Sequence, residues 1–168
     1  MTRDDLELHA TIPAALPSRR TVLAASAAAF ALAALDPSAA LATDPEPTSQ
    51  FLAAYAKLTG ETEPPAGPIK LDLPDIAENG NMVPFTIAVD NPMTPERHVR
   101  TLTLFSTGNP QPVIATFHFN PASGRAMVSG RLRLARTQDV IAVAELNTGE
   151  RIKVTTRVEV TVGGCGAG

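Results

Sequence analysis

The sequence predicts an all-β fold: an immunoglobulin-like antiparallel β-sandwich of about seven strands, with a short N-terminal helix before it and a flexible C-terminal tail after it. Three observations carry this. Apolar residues recur at every second position through most of residues 69–162, the period of a half-buried strand. Turn signals made of Pro, Gly and Asn break these runs at sandwich spacing. No helical crossover of the kind a parallel sheet needs stands between them. The composition agrees, with 15 Pro and 11 Gly against one Tyr, six Phe and no Trp. The 168 residues suffice for one domain. With 14 basic and 17 acidic residues the net charge is −3, which gives no reason to expect nucleic acid or an anionic membrane as partner.

The first element is an export signal, expected over residues 1–42. Ser18-Arg19-Arg20-Thr21-Val22-Leu23 precedes an apolar, alanine-rich stretch, residues 22–35, and Ala40-Leu41-Ala42 supplies a small-x-small cleavage pattern. The paired arginines make it a twin-arginine signal, so the expected location is periplasmic. The apolar run is shorter than the roughly 20 residues a spanning helix needs. This route carries folded cargo. The chain has no cofactor motif, so a partner bound before export is the better reason for using it.

The domain is expected over residues 43–162. Residues 43–48 read as a linker and 49–58 as a helix. Thr48 or Ser49 can cap it, Gly60 can end it, and Phe51, Leu52, Tyr55 and Leu58 form its apolar face. That face should pack on the sandwich or on a partner subunit. The period then becomes two. Ile69, Leu71 and Leu73 form the first set, and Asn79-Gly80 is a turn. Phe85, Ile87 and Val89 follow, with Pro84 arguing for an edge strand or an irregular start. Leu102 and Leu104 alternate next, and then Val113, Ala115, Phe117 and Phe119 as an inward set. Val128, Leu132 and Leu134 mark a longer strand with Arg131 and Arg133 facing out. Val140, Ala142, Ala144 and Leu146 point inward. The last strand is the clearest: Ile152, Val154, Thr156, Val158, Val160 and Val162 on one face, charged and hydroxyl residues on the other.

The chemistry concentrates behind that strand. Residues 163–168 read Gly-Gly-Cys-Gly-Ala-Gly, and Cys165 is the only cysteine of the chain. Chain ends are poorly ordered unless something ties them down, so the reading is a reactive thiol on a flexible arm made of Gly163, Gly164, Gly166, Ala167 and Gly168. An odd cysteine in an exported protein suggests a reactive thiol or an intermolecular bridge. Three residues beyond Val162 would carry it about 10 Å from the sandwich. No cation or base adjoins it in sequence, so activation would have to come from whatever it enters. His98 and His118 read as solvated surface groups, and no metal-ligand spacing or phosphate loop occurs.

Several short motifs share a pattern: the twin-arginine signal, Leu58-Thr59-Gly60, Ile76-Ala77-Glu78-Asn79-Gly80, Val83-Pro84, Pro92-Met93-Thr94 and Asn109-Pro110. Phe117-His118-Phe119, Pro121-Ala122-Ser123-Gly124, Val143-Ala144-Glu145 and Gly163-Gly164-Cys165-Gly166 continue it. With them, roughly residues 51–168 resemble the SoxY sulfur-carrier family of thiosulfate oxidation. The family tail ends Gly-Gly-Cys-Gly-Gly, and here Ala167 departs from it.

The resemblance implies a carrier, without a cofactor of its own, that is not itself an enzyme. It implies a heterodimer with a SoxZ-like immunoglobulin-like subunit exported alongside. A SoxAX-like c-type haem enzyme would join thiosulfate oxidatively to Cys165, and a SoxB-like hydrolase would release sulfate. A SoxCD-like dehydrogenase would oxidise the remaining sulfane sulfur where that branch exists. Two readings from other classes compete: a structural module that dimerises through a Cys165 disulfide, and a thiol enzyme, which would need a base that the tail lacks.

Overall fold

The computed structural model describes residues 46–60 and 62–164. The signal expected over residues 1–42 and the tail residues 165–168 lie outside the described residues. Among the described residues one helix, α1 (Ser49–Thr59), precedes the strands β1 (Ile69–Asp72), β2 (Ile76–Asn79), β3 (Val83–Val89), β4 (Val99–Ser106), β5 (Val113–His118), β6 (Ala126–Leu132), β7 (Gln138–Leu146) and β8 (Arg151–Val162). A single 3-10 turn, Pro121–Ser123, joins β5 to β6.

The strands form two sheets, ordered β1-β3-β6 and β2-β8-β7-β4-β5. Residues from the facing sides, among them Phe85 and Ile87 of β3, Leu102 and Leu104 of β4 and Val140, Ala142 and Ala144 of β7, share one buried core. The immunoglobulin-like sandwich is present. The pairings between these strands are antiparallel except one: β2 runs parallel to β8, with Ala77 opposite Val160. Four residues, Ile76-Ala77-Glu78-Asn79, are too few for alternation to register, which is why the sequence did not disclose β2.

Strand β7 is buried on both faces. Its even-numbered apolar residues enter the core between the sheets. Ile141 and Val143 pack on the opposite side with Phe105 and with Phe51 of α1. Helix α1 therefore lies on the outer face of the five-stranded sheet. Thr48 caps it, its Oγ1 accepting from the Phe51 amide at 3.2 Å. Gly60 ends it at φ 72°, a conformation open to glycine at no steric cost. Phe51 stacks on Tyr55 at 5.3 Å, and both meet Phe105 edge-on, at 6.2 and 5.6 Å.

Three expectations need correction. Leu52 is 56% exposed and not on the packed face of α1. Phe51, Tyr55 and Leu58 are spaced by four and three residues, while Leu52 sits about 100° further round. At β5 only Val113 departs from the expected inward set: it faces out, Ile114 packs on the core in its place with Phe117 and with Phe119 just past the strand, and Ala115 stays opposite core residue Leu104. The ladder with β4 shifts between Leu104 and Phe105, so that Ala115 pairs with Leu104 and Val113 with Phe105. Ile114 is the extra residue of this bulge, and one inserted residue moves everything before it to the other face. Val162 is 60% exposed because β8 outruns β7, whose last partner is Val158. Pro84 is in an otherwise central strand, at a position β1 does not reach, since β1 ends opposite Thr86.

Candidate functional site

Strand β8 leads directly to the tail, and its last third is held differently from the rest. Up to Val158 it is paired with β7. Beyond that, β2 takes over, with Ile76 opposite Glu159 and Asn79 opposite Val162. The Glu159 amide donates to Asp75 O at 2.8 Å, and the Val160 amide to Thr137 Oγ1 at 2.9 Å.

The chain is then fastened on both sides of Gly163. The Gly80 amide donates to Val162 O at 2.8 Å, the Leu134 amide to Gly80 O at 2.8 Å, and the Gly164 amide to Leu134 O at 2.8 Å. Gly164 is buried. A Cβ on Gly80 would stand 2.2 Å from Leu134 O and 2.9 Å from Gly164 N. A Cβ on Gly164 would stand 3.0 Å from Gly80 O and 3.1 Å from Leu134 O. Gly80 has no left-handed backbone. Its lack of a side chain is thus required by the close approach of three backbones and not by its own torsion angles. The sequence reading included Gly163 and Gly164 in a free arm. Gly164 instead belongs to the domain, and Cys165, outside the described residues, follows it directly.

The groups around this junction are fixed in turn. Leu134 is fully buried in the core. Asn109 holds the peptides on both sides of it: Nδ2 donates to Arg133 O at 2.8 Å, and Oδ1 accepts from Ala135 N at 2.9 Å. Buried Gln138 supports Asn109 by donating Nε2 to the same Oδ1 at 2.8 Å, while its Oε1 accepts from the Gly108 amide at 2.6 Å. Sequence reading saw Asn109-Pro110 and Asn79-Gly80 only as turns. The signal for more is only an asparagine and a glycine, types that turns favour on their own account.

The remaining candidates do not gather. His98 is half-buried with Nδ1 3.0 Å from Thr94 O, and His118 is exposed opposite Thr101. Among the described residues no three His, Cys, Asp or Glu side chains group as metal ligands. No described helix is long and apolar enough to cross a membrane. A surface groove of about 720 Å³ runs between Pro68, Asn91, Arg125 and Met127 and shares no lining residue with the tail junction. Among the described residues the one strongly perturbed group, Tyr55, is structural. Burial, then the hydrogen bond to Glu63 at 3.1 Å and that carboxylate's charge, push the Tyr55 phenol well above its ordinary value. Glu63 also pairs with Lys153, which lowers its carboxyl, and so links α1 to β8.

The family model described as sulfur oxidation protein SoxY matches residues 55–165, a span that ends on Cys165. Among solved structures, the sulfur carrier protein SoxY from Chlorobium limicola f thiosulfatophilum is 29% identical with a TM-score of 0.55, over 68% of this chain and 98% of that one. A single-site variant of the superoxide reductase (neelaredoxin) from Ignicoccus hospitalis, 16% identical over 64% of this chain and 86% of its own with a TM-score of 0.51, shares the fold alone. No curated protein sequence matches the chain.

Proposed function

The chain belongs to the family of sulfur oxidation protein SoxY, and from that membership we propose that it is a covalent sulfur carrier with Cys165 as the attachment point. The observation that carries the reading is the family match running through the glycine-flanked Cys165, the single thiol of the chain. Likeness to a solved sulfur carrier across nearly all of that protein's length supports it.

The chemistry proposed for Cys165 is as follows. Joining thiosulfate to the thiol forms a sulfur–sulfur bond and removes one proton and two electrons. The electrons need an acceptor, for which a c-type haem enzyme of SoxAX type is the partner. Water then cleaves the terminal sulfone as sulfate, on a SoxB-like hydrolase, and leaves a persulfide on Cys165. A SoxCD-like dehydrogenase is the partner for oxidising that sulfane sulfur. The carrier contributes attachment: a tethered intermediate meets each enzyme at high effective concentration and does not diffuse away. Pairing with a SoxZ-like subunit, and export to the periplasm behind the twin-arginine signal, belong to the same proposal.

The test is the intact mass of the chain isolated from cells grown on thiosulfate, before and after a thiol reductant. Reductant-labile sulfur or thiosulfate additions on Cys165 are expected. Cys165→Ser should lack them, keep the fold and fail to support thiosulfate-dependent respiration. A bare thiol or a plain Cys165–Cys165 dimer under every growth condition would sink the reading.

A further inference from the structure

We propose that Gly80 is a positioning residue for Cys165. Its missing side chain lets the backbones at 80, 134 and 164 interlock, so that the cysteine starts from a fixed point at the end of the sandwich.

The geometry has three parts. First, the interlock grips the chain on both sides of Gly163, at Val162 O and at Gly164 N, so the two glycines before Cys165 do not act as a hinge. Second, nothing larger than glycine fits at 80: a Cβ there would meet Leu134 O at 2.2 Å and Gly164 N at 2.9 Å, and these two nearest neighbours are backbone atoms, which cannot swing aside as a side-chain tip would. Third, the acceptor for Gly164 is itself anchored. Leu134 is locked in the core by its side chain and held through both flanking peptides by Asn109. Fixing a functional group through neighbours that are themselves fixed is what pre-organisation requires.

The consequence is one of reach. With the interlock closed, one residue separates the anchored backbone from the thiol-bearing Cα, about 3.5 Å of chain. With it open, the free chain would begin after Val162, and three residues would give about 10 Å. Closed, the thiol is presented with the sandwich end as its base, and an enzyme that receives it must accept that end of the domain. The role of the interlock in delivery rests on the carrier reading, whereas the interlock itself does not.

Amide hydrogen exchange on the full reduced chain tests it first. The Gly164 amide should exchange on the order of a hundredfold more slowly than an unprotected glycine amide. Exchange at the unprotected rate, in a chain whose β7 amides stay protected, would overturn the proposal. The second measurement uses a nitroxide on Cys165. Its relaxation effect should concentrate on the amides of residues 79–82 and 133–136. In Gly80→Ala those effects should fall several-fold and Gly164 protection should be lost, with β7 amides unchanged. Unaltered effects in that variant would also overturn it. Should Gly80→Ala fail to fold, Asn109→Ala, which adds no atoms, carries the same two readouts with the same expected direction. None of these readouts needs a sulfur substrate. Absence of an adduct would remove the carrier reading and leave the interlock, while an unprotected Gly164 would do the reverse.

Discussion

At the scale of single residues, glycine serves two different ends in this chain. Gly60, Gly124 and Gly149 have positive φ, and there the torsion angle selects the residue. Gly80 and Gly164 are selected by contact, and nothing in the sequence separates the two kinds. Tyr55 is the corresponding case among polar groups. It is the only tyrosine and there is no tryptophan, so phenolate absorbance reads this one side chain. Because burial and Glu63 raise its pKa in the folded chain, its contribution to stability is complete below the ordinary value near ~10 and is lost as pH rises through the folded value. An alkaline titration should show Tyr55 ionising well above ~10 in the folded chain and near ~10 in denaturant. Ionisation at the ordinary value in the native chain would refute the packing of Tyr55 on Phe51 and Phe105 and its bond to Glu63. Glu63 works in the opposite direction, its lowered carboxyl favouring the fold above its unfolded value and losing that effect as pH falls through the folded one. Being largely exposed, it contributes little, and Glu63→Gln should cost less than about 1 kcal/mol.

At the scale of elements, helix α1 depends on one side chain of the sheet. Phe105 is 1% exposed and meets both Phe51 and Tyr55. Phe105→Ala should cost about 3–5 kcal/mol in denaturant unfolding. The same variant should bring the Tyr55 titration back toward its ordinary value, and a loss below about 1 kcal/mol would mean that the helix docks by other means. The sequence conveyed α1 well, since capping, apolar spacing and a terminal Gly60 all agree. It conveyed β8 equally well, because long alternation has no competing reading. The rest fell where the pattern carries two meanings. Alternation in Val113-Ile114-Ala115-Thr116-Phe117 cannot announce a bulge, because the extra residue is only defined against β4. The run Val140-Ile141-Ala142-Val143-Ala144 shows one inward face and gives no sign that α1 covers the other. At the candidate site, the tail cysteine was plain in the sequence. The interlock that precedes it was not, because its hydrogen bonds join backbone atoms 54 residues apart, at Gly80 and Leu134.

At the scale of the whole described domain, the two sheets are not equivalent. The three-stranded sheet is covered on one side only, while the five-stranded sheet is covered on both, by the core and by α1. Since α1 is attached through one face, its amides should exchange faster than those of β4 and β7 by at least about tenfold, an ordering that exchange data can contradict directly. The parallel pairing of β2 with β8 has a mechanical consequence. Between Val158 and the tail, β8 has lost β7 and is bonded to β2, Thr137 and the Gly80–Leu134 pair. A pull applied at the tail runs along β8. It loads those bonds side by side, in shear, and does not peel them one at a time. The end of the sandwich is therefore built as a strain relief, where a load along β8 meets these bonds together before it reaches the β7 ladder behind them.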